Sequence, residues 1–291
     1  MSSSTILRPL FRGLALAAVA VVAACGGDSG GPSAPSTPDP DPVPSPTPET
    51  PGPGPVSGLE GRAIFALTCV NQLVLFGSGN PEQLQRQVQI TGMSAGAAMV
   101  GIDFRGGDLY GVGTDSRLYT VDTLTGAAAS VGGPFAPALT GEHFGMAYDA
   151  GHDLMHVASV ESNQSLEINP ATGPIAAARP DLAFAAGDAH EGTNPAIAGE
   201  AYHGSVLYAI ETNENALVTV SPATGALTTI ADLSFNVYLC AGFDVDTDGT
   251  AYAALSTDNG SELYTIDLAG GAATLLGHIA GSPVHSIALR P

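Results

Sequence analysis

From Gly61 to the C-terminus, apolar and polar residues alternate with period two over short runs that Gly, Pro, Asn or Asp repeatedly interrupt. Alternation at every second residue puts one set of side chains on each face of a strand, so the pattern predicts many short β-strands and no long helix. The runs repeat. LYTVDTLTGAAASVG (118–132), LEINPATGPIAAA (166–178), LVTVSPATGALTTI (217–230) and LYTIDLAGGAATLLG (263–277) are one hairpin phrase written four times. Their turn glycines, Gly126, Gly173, Gly225 and Gly271, are 47, 52 and 46 residues apart, a spacing that points to a repeat architecture. Two further strands precede each hairpin, as in MVGIDFRGGDLYGVGT (99–114) and CAGFDVDTDGTAYAALS (240–256), so each unit is four antiparallel strands, the makeup of a propeller blade.

The ends of the repeat region complement each other. RAIFALTCVNQLVLFG (62–77) with RQVQITG (86–92) lacks a first strand, while VHSIALRP (284–291) is a first strand with nothing after it. Joining them makes a fifth blade and removes the open edges of a linear array. The expected fold is therefore all-β: a five-bladed β-propeller of four-stranded antiparallel blades, closed by the C-terminal strand pairing with N-terminal strands. A two-sheet sandwich would not require matched fragments at both ends.

The first 24 residues contain no acid, carry Arg8 and Arg12, and continue as LALAAVAVVAA before Cys25. A basic start, a short apolar core and a small-residue exit define a secretory leader, and the apolar stretch is too short to span a bilayer. Val22-Ala23-Ala24-Cys25-Gly26 resembles a lipobox, in which the cysteine is acylated and becomes the new first residue. Residues 1–24 are thus expected to be a lipoprotein signal peptide, and 25–60 a lipid-anchored linker. Eleven of the 22 prolines fall between Pro32 and Pro55, which favours an extended polyproline stalk. Residues 61–291 then form the propeller, placed at a bacterial cell envelope, facing the periplasm or the surface.

All eight cations of the chain are arginine, against 28 acids. With the leader removed the formal charge is −22, which disfavours nucleic acid as a partner, because binding phosphates requires clustered basic residues. The expected partners are the membrane, through the N-terminal lipid, and a protein or glycan ligand.

The chain resembles a family of exported bacterial proteins known as domain of unknown function 4394. The residues that carry the likeness are FALTCVNQLVLF (65–76), VGIDFRGGDLYGVG (100–113), RLYTVDTLTGAAASVG (117–132), AAGDAHEGTNPAIAGEAY (185–202) and GTAYAALSTDNGSELYTIDLAGGAATLLG (249–277). Gly106 stands where the family commonly has Pro after GIDFR. The resemblance implies the propeller and export, and it passes on no catalytic residue, because the family has no established activity.

Several residues invite a chemical reading. First-strand glycines Gly101, Gly145, Gly199 and Gly242 are 44, 54 and 43 residues apart, so the connection into the third copy is about ten residues longer than the others. It holds Asp188, His190, Glu191 and Asn194, which could bind a polar ligand or a cation, or simply cap their own loop. Asp244, Asp246 and Asp248 before Gly249 match the start of a calcium loop, which makes Ca2+ the candidate cofactor. The twelfth position is Leu255 rather than Glu, and an Asp-Gly hairpin explains the same residues without metal. Asp103, Glu200 and Asp244 lie on first strands, where opposed carboxylates could hydrolyse a glycosidic bond, but Glu200 is one position out of register and its side chain should face the other way. With Cys25 acylated, Cys69 and Cys240 remain as an even pair on adjoining blades, suited to a disulfide across the closure seam. No nucleophile elbow, phosphate loop or dinucleotide fingerprint occurs. The expected function is an extracytoplasmic binding or scaffolding module, with a carbohydrate-active hydrolase or lyase working in the central channel as the alternative.

Overall fold

A computed structural model of the chain describes residues 58–291. The leader, Cys25 and nearly all of the linker lie outside the described residues. The strands form five sheets. Blade 1 contains β1 (Ala63–Thr68), β2 (Gln72–Gly77) and β3 (Arg86–Gln89). Blade 2 is β4 (Met99–Arg105), β5 (Asp108–Gly113), β6 (Arg117–Val121) and β7 (Ala128–Val131). Blade 3 is β8 (Phe144–Asp149), β9 (Leu154–Ser159), β10 (Ser165–Ile168) and β11 (Ile175–Arg179). After β12 (Ala183–Phe184) comes blade 4, with β13 (Ile197–His203), β14 (Val206–Glu211), β15 (Ala216–Ser221) and β16 (Ala226–Asp232). Blade 5 is β17 (Ala241–Val245), β18 (Ala251–Thr257), β19 (Gly260–Ile266) and β20 (Ala273–His278). The last strand, β21 (Val284–Leu289), returns to blade 1 and pairs antiparallel with β1, Phe65 opposite Ala288. The predicted closure, one C-terminal strand with three N-terminal ones, is present.

The inner strands β4, β8, β13, β17 and β21 each neighbour the next, and β21 meets β4, so the ring is complete. Gly145 shows what this proximity requires: a Cβ there would lie 3.0 Å from Cγ of Glu200 on the next inner strand. Gly101, Gly199 and Gly242 occupy the same place in their own blades. The apolar positions of the alternation fill the spaces between blades, with Phe65, Leu67, Ile102 and Tyr119 between blades 1 and 2 and Ala241, Phe243, Leu217 and Ile210 between blades 4 and 5. Burial of these side chains, at about 25 cal/mol per Å² of apolar surface, is what holds each blade to the next.

One detail departs from four strands per blade. The long connection into blade 4 first lays β12 parallel to β16, with Ala183 opposite Ala226, and makes that sheet five-stranded. The extra residues therefore begin at the outer edge of the blade before returning to the ring.

Candidate functional site

All five inner strands run the same way through the ring, which gives the axis two distinct ends. At the end where they finish, Asp103 and Asp244 line a common cavity of about 130 Å³ together with Tyr148, Tyr202 and Arg62. Asp103 accepts hydrogen bonds from the N–H groups of Phe104 (2.6 Å) and Tyr148 on the next blade (2.5 Å). Asp244 does the same with Val245 (2.7 Å) and Leu289 (2.6 Å). Each carboxylate thus ties one inner strand to the next. Burial, and then the charge of Asp244, pushes the Asp103 carboxyl well above the usual range, and burial pushes Asp244 up to about 7. Ligand pockets usually measure about 300–1,000 Å³, so this cavity is too small for a glycan, and both oxygens of Asp103 and of Asp244 already have a backbone donor.

Glu200 points away from that pair, as its offset register requires. It lies between blades 3 and 4, where His156 Nδ1 is 2.8 Å from Oε1 and His156 Nε2 is 2.9 Å from Ser165 Oγ. The order Ser, His, Glu is that of a hydrolase triad, yet all three residues are 1% exposed, so no substrate can reach the serine. Burial lowers the His156 pKa, but the charge and hydrogen bond of Glu200 outweigh it and the net shift is upward. Nothing in the sequence signalled this, because the three residues are brought together only by blade packing.

The long third-copy loop brings Asp188, His190, Glu191 and Asn194 near one another, each already engaged. Asp188 accepts from the backbone N–H (2.7 Å) and the hydroxyl (2.8 Å) of Thr229 and from the N–H of His190 (3.0 Å). His190 Nε2 sits 2.9 Å from Asp232, Glu191 accepts from the Gly187 N–H at 2.8 Å, and Asn194 Oδ1 accepts from Asn163 at 2.8 Å. These bonds fasten the loop to blade 4 and to the β9–β10 turn. The acidic triplet is likewise divided. Asp246 holds the Arg62 guanidinium at 2.7 Å, Asp248 caps the Thr250 N–H at 2.8 Å, and Asp244 faces the ring. Among the described residues no three His, Cys, Asp or Glu side chains are placed to hold a metal ion, and calcium at Asp246 would have to displace Arg62.

At the opposite end of the axis, where the inner strands begin, a cavity of about 480 Å³ opens between blades 1, 2 and 3. Its walls combine Met99 and Val100 with Asn71, Thr114, His143 and His285. Asn71 adopts a left-handed turn (φ 59°), and its side-chain oxygen accepts the Met99 N–H at 3.0 Å, which ties the β1–β2 turn to the start of β4. Burial pushes His285 down to about 4, so it stays neutral, while the His143 ring lies 2.6 Å from Glu161. On the rim, Cys69 and Cys240 are free thiols with Sγ atoms 3.7 Å apart. The hydrogen bond with Cys240 draws Cys69 down to about 7, and the Cys240 pKa rises through the same bond. His143 and His285 look scattered in the sequence. The signal that could have found them is their repeat position at or just before a first strand, the points that ring closure brings together.

No curated protein matches the sequence. Solved structures similar to it include a protein of unknown function from Bacteroides thetaiotaomicron, 15% identical with a TM-score of 0.47, covering 79% of this chain and 62% of that one. Another of unknown function, from Bacteroides caccae, is 9% identical with a TM-score of 0.43, covering 79% of this chain and 99% of that one. A streptogramin B lyase is 14% identical with a TM-score of 0.44, covering 76% and 66%. This chain spans less than two thirds of the length of the first and the third. None of these likenesses bears on what it does. The family pattern of Domain of unknown function (DUF4394) matches residues 72–288, from the second strand of blade 1 to the closing strand, and the chain belongs to that family.

Proposed function

We propose that the propeller is an extracytoplasmic binding module, tethered to the cell envelope through an acylated Cys25, that takes a peptide or glycan into the axial cavity beside Asn71, His143 and His285. The observation that carries this reading is the size and lining of that cavity: about 480 Å³ falls within the range of ligand pockets, and its lining combines the apolar Ala98, Met99 and Val100 with several polar groups. The carboxylate pair at the other end supports the alternative of a glycan hydrolase or lyase less well, because its oxygens serve the fold. The third-copy loop is a rim feature in this reading, its polar groups spent on holding its shape.

Glycan and peptide arrays probed with the wild-type chain and with Ala98→Trp, which fills the cavity from its wall, test the proposal. Retention of a defined glycan or peptide by the wild type, weakened at least about tenfold (~1.4 kcal/mol) in the variant, is the expected result. Binding that survives Ala98→Trp unchanged places the ligand elsewhere.

A further inference from the structure

We propose a second site, independent of the axial cavity: the hollow between the β16–β17 connection and the β18–β19 turn binds a small organic cation, an alkylated ammonium group. The connection is anchored at two buried points. The N–H of Leu233 donates to the Asn215 carbonyl (2.6 Å) and the N–H of Val237 to the Asn215 side-chain oxygen (2.6 Å). Between and just beyond these anchors the chain presents Phe235, Asn236 and Tyr238 to the hollow, which measures about 200 Å³. Phe235 stacks on Tyr264, with ring centroids 5.0 Å apart and planes 18° from parallel, and forms a stiff wall. Tyr238 is 49% exposed, but its ring is held in place, because its N–H bonds the Ser256 carbonyl at 3.1 Å and its hydroxyl donates to Asp258 at 2.6 Å.

The hydroxyl donors in this lining are already used. The Tyr264 hydroxyl (2.7 Å) and the Thr257 hydroxyl (2.9 Å) both donate to one oxygen of Glu262, and Tyr238 donates to Asp258. What remains is two carboxylates, the faces of aromatic rings and the side-chain amides of Asn236 and Asn259, with no arginine or histidine on the wall. A sugar needs several donors as well as acceptors from its site and would find only the two amides to donate to it. A cation needs only negative charge and π-faces, and a compact alkylated ammonium gains from both without supplying a hydrogen bond. A volume of about 200 Å³, below the usual pocket range, suits a headgroup rather than a larger molecule. A bare metal ion would have to give up tightly held water, and two carboxylates with three rings do not supply the oxygen shell that replaces it.

Calorimetric titration of the full chain with choline chloride, with its uncharged carbon isostere 3,3-dimethylbutan-1-ol and with maltose, all at one ionic strength, tests the assignment. Choline should saturate, and the isostere and maltose should bind at least about tenfold more weakly. Tyr238→Ala and Asp258→Asn should each weaken choline by a similar factor, while Ala98→Trp should leave it unchanged, which separates this site from the axial cavity. Equal binding of the isostere or of maltose overturns the proposal. So does choline binding that both variants leave intact, or no saturation by choline.

Discussion

Asp103 and Asp244 lie two residues after the inner-strand glycines Gly101 and Gly242, whereas Glu200 directly follows Gly199. That offset decides their chemistry. Two residues on, a carboxylate reaches the backbone of the next inner strand at the mouth of the ring; one residue on, it turns into the seam with the preceding blade and meets His156. The direction was legible from period two, but the partner was not, because His156 is 44 residues away and on another blade. The raised Asp244 pKa has a testable sign. An unfolded Asp titrates near 3.9, so below about pH 4 both states keep the proton and no cost arises. As the pH climbs toward about 7 the unfolded chain ionises and the folded one resists, and Asp244 costs progressively more stability. The melting temperature of Asp244→Asn, measured as a difference from wild type, should therefore rise between about pH 4 and 7 on top of a fixed loss from the poorer acceptor. A difference that stays flat across that window means the carboxyl titrates normally.

Among the elements, the turn glycines show how the repeat was both legible and incomplete. Gly173 has φ 88°, the positive value that its place in the repeated hairpin phrase predicts. The structure adds a second reason, since a Cβ there would run into the carbonyl oxygen of Val131, where blade 2 passes over the turn. β12 was not legible. A two-residue strand has no period to detect, and its partner β16 follows some 40 residues later. It nevertheless protects an edge: the N–H of Ala183 donates to Gly225 (2.9 Å) and that of Ala185 to Leu227 (2.8 Å), while Phe184 is buried against blade 4. Ala183→Pro deletes the first of these bonds. Hydrogen exchange by mass spectrometry should then show faster exchange in β16 and the 185–196 loop, with blades 1 and 2 unchanged. Uniform acceleration across all blades would mean instead that β12 is needed for the whole ring.

At the level of the whole molecule, closure brings the two ends of the repeat region together and places Cys69 beside Cys240. A disulfide needs a sulfur separation near 2.05 Å, so the thiols at 3.7 Å must close by less than 2 Å, and both sit outside regular strands, just after β1 and just before β17. We propose that, if the protein is exported, they become a staple across the seam by thiol–disulfide exchange: an oxidised dithiol catalyst of that compartment takes up the two electrons and two protons as its disulfide is reduced. Alkylation of the exported protein under denaturing, non-reducing conditions should leave both cysteines unmodified and label them only after reduction. Quantitative labelling before reduction would show that the pair works as free thiols, with Cys69 the more reactive because its pKa is drawn down to about 7.

The sequence by itself determined the repeat, the number of blades, the matched fragments that close the ring and the family, because these depend on local alternation, turn residues and order along the chain. It also determined which inner-strand carboxylates share a register. Only the tertiary structure decided what those groups do. It spent the oxygens of Asp103 and Asp244 on neighbouring strands, turned the long third-copy loop into an edge and a self-bonded rim, put Arg62 on Asp246, and gathered Asn71, His143 and His285 around one cavity. Ring closure brings together residues far apart in the chain, and the distances that settle whether a polar group is free or already satisfied exist only after the blades have packed.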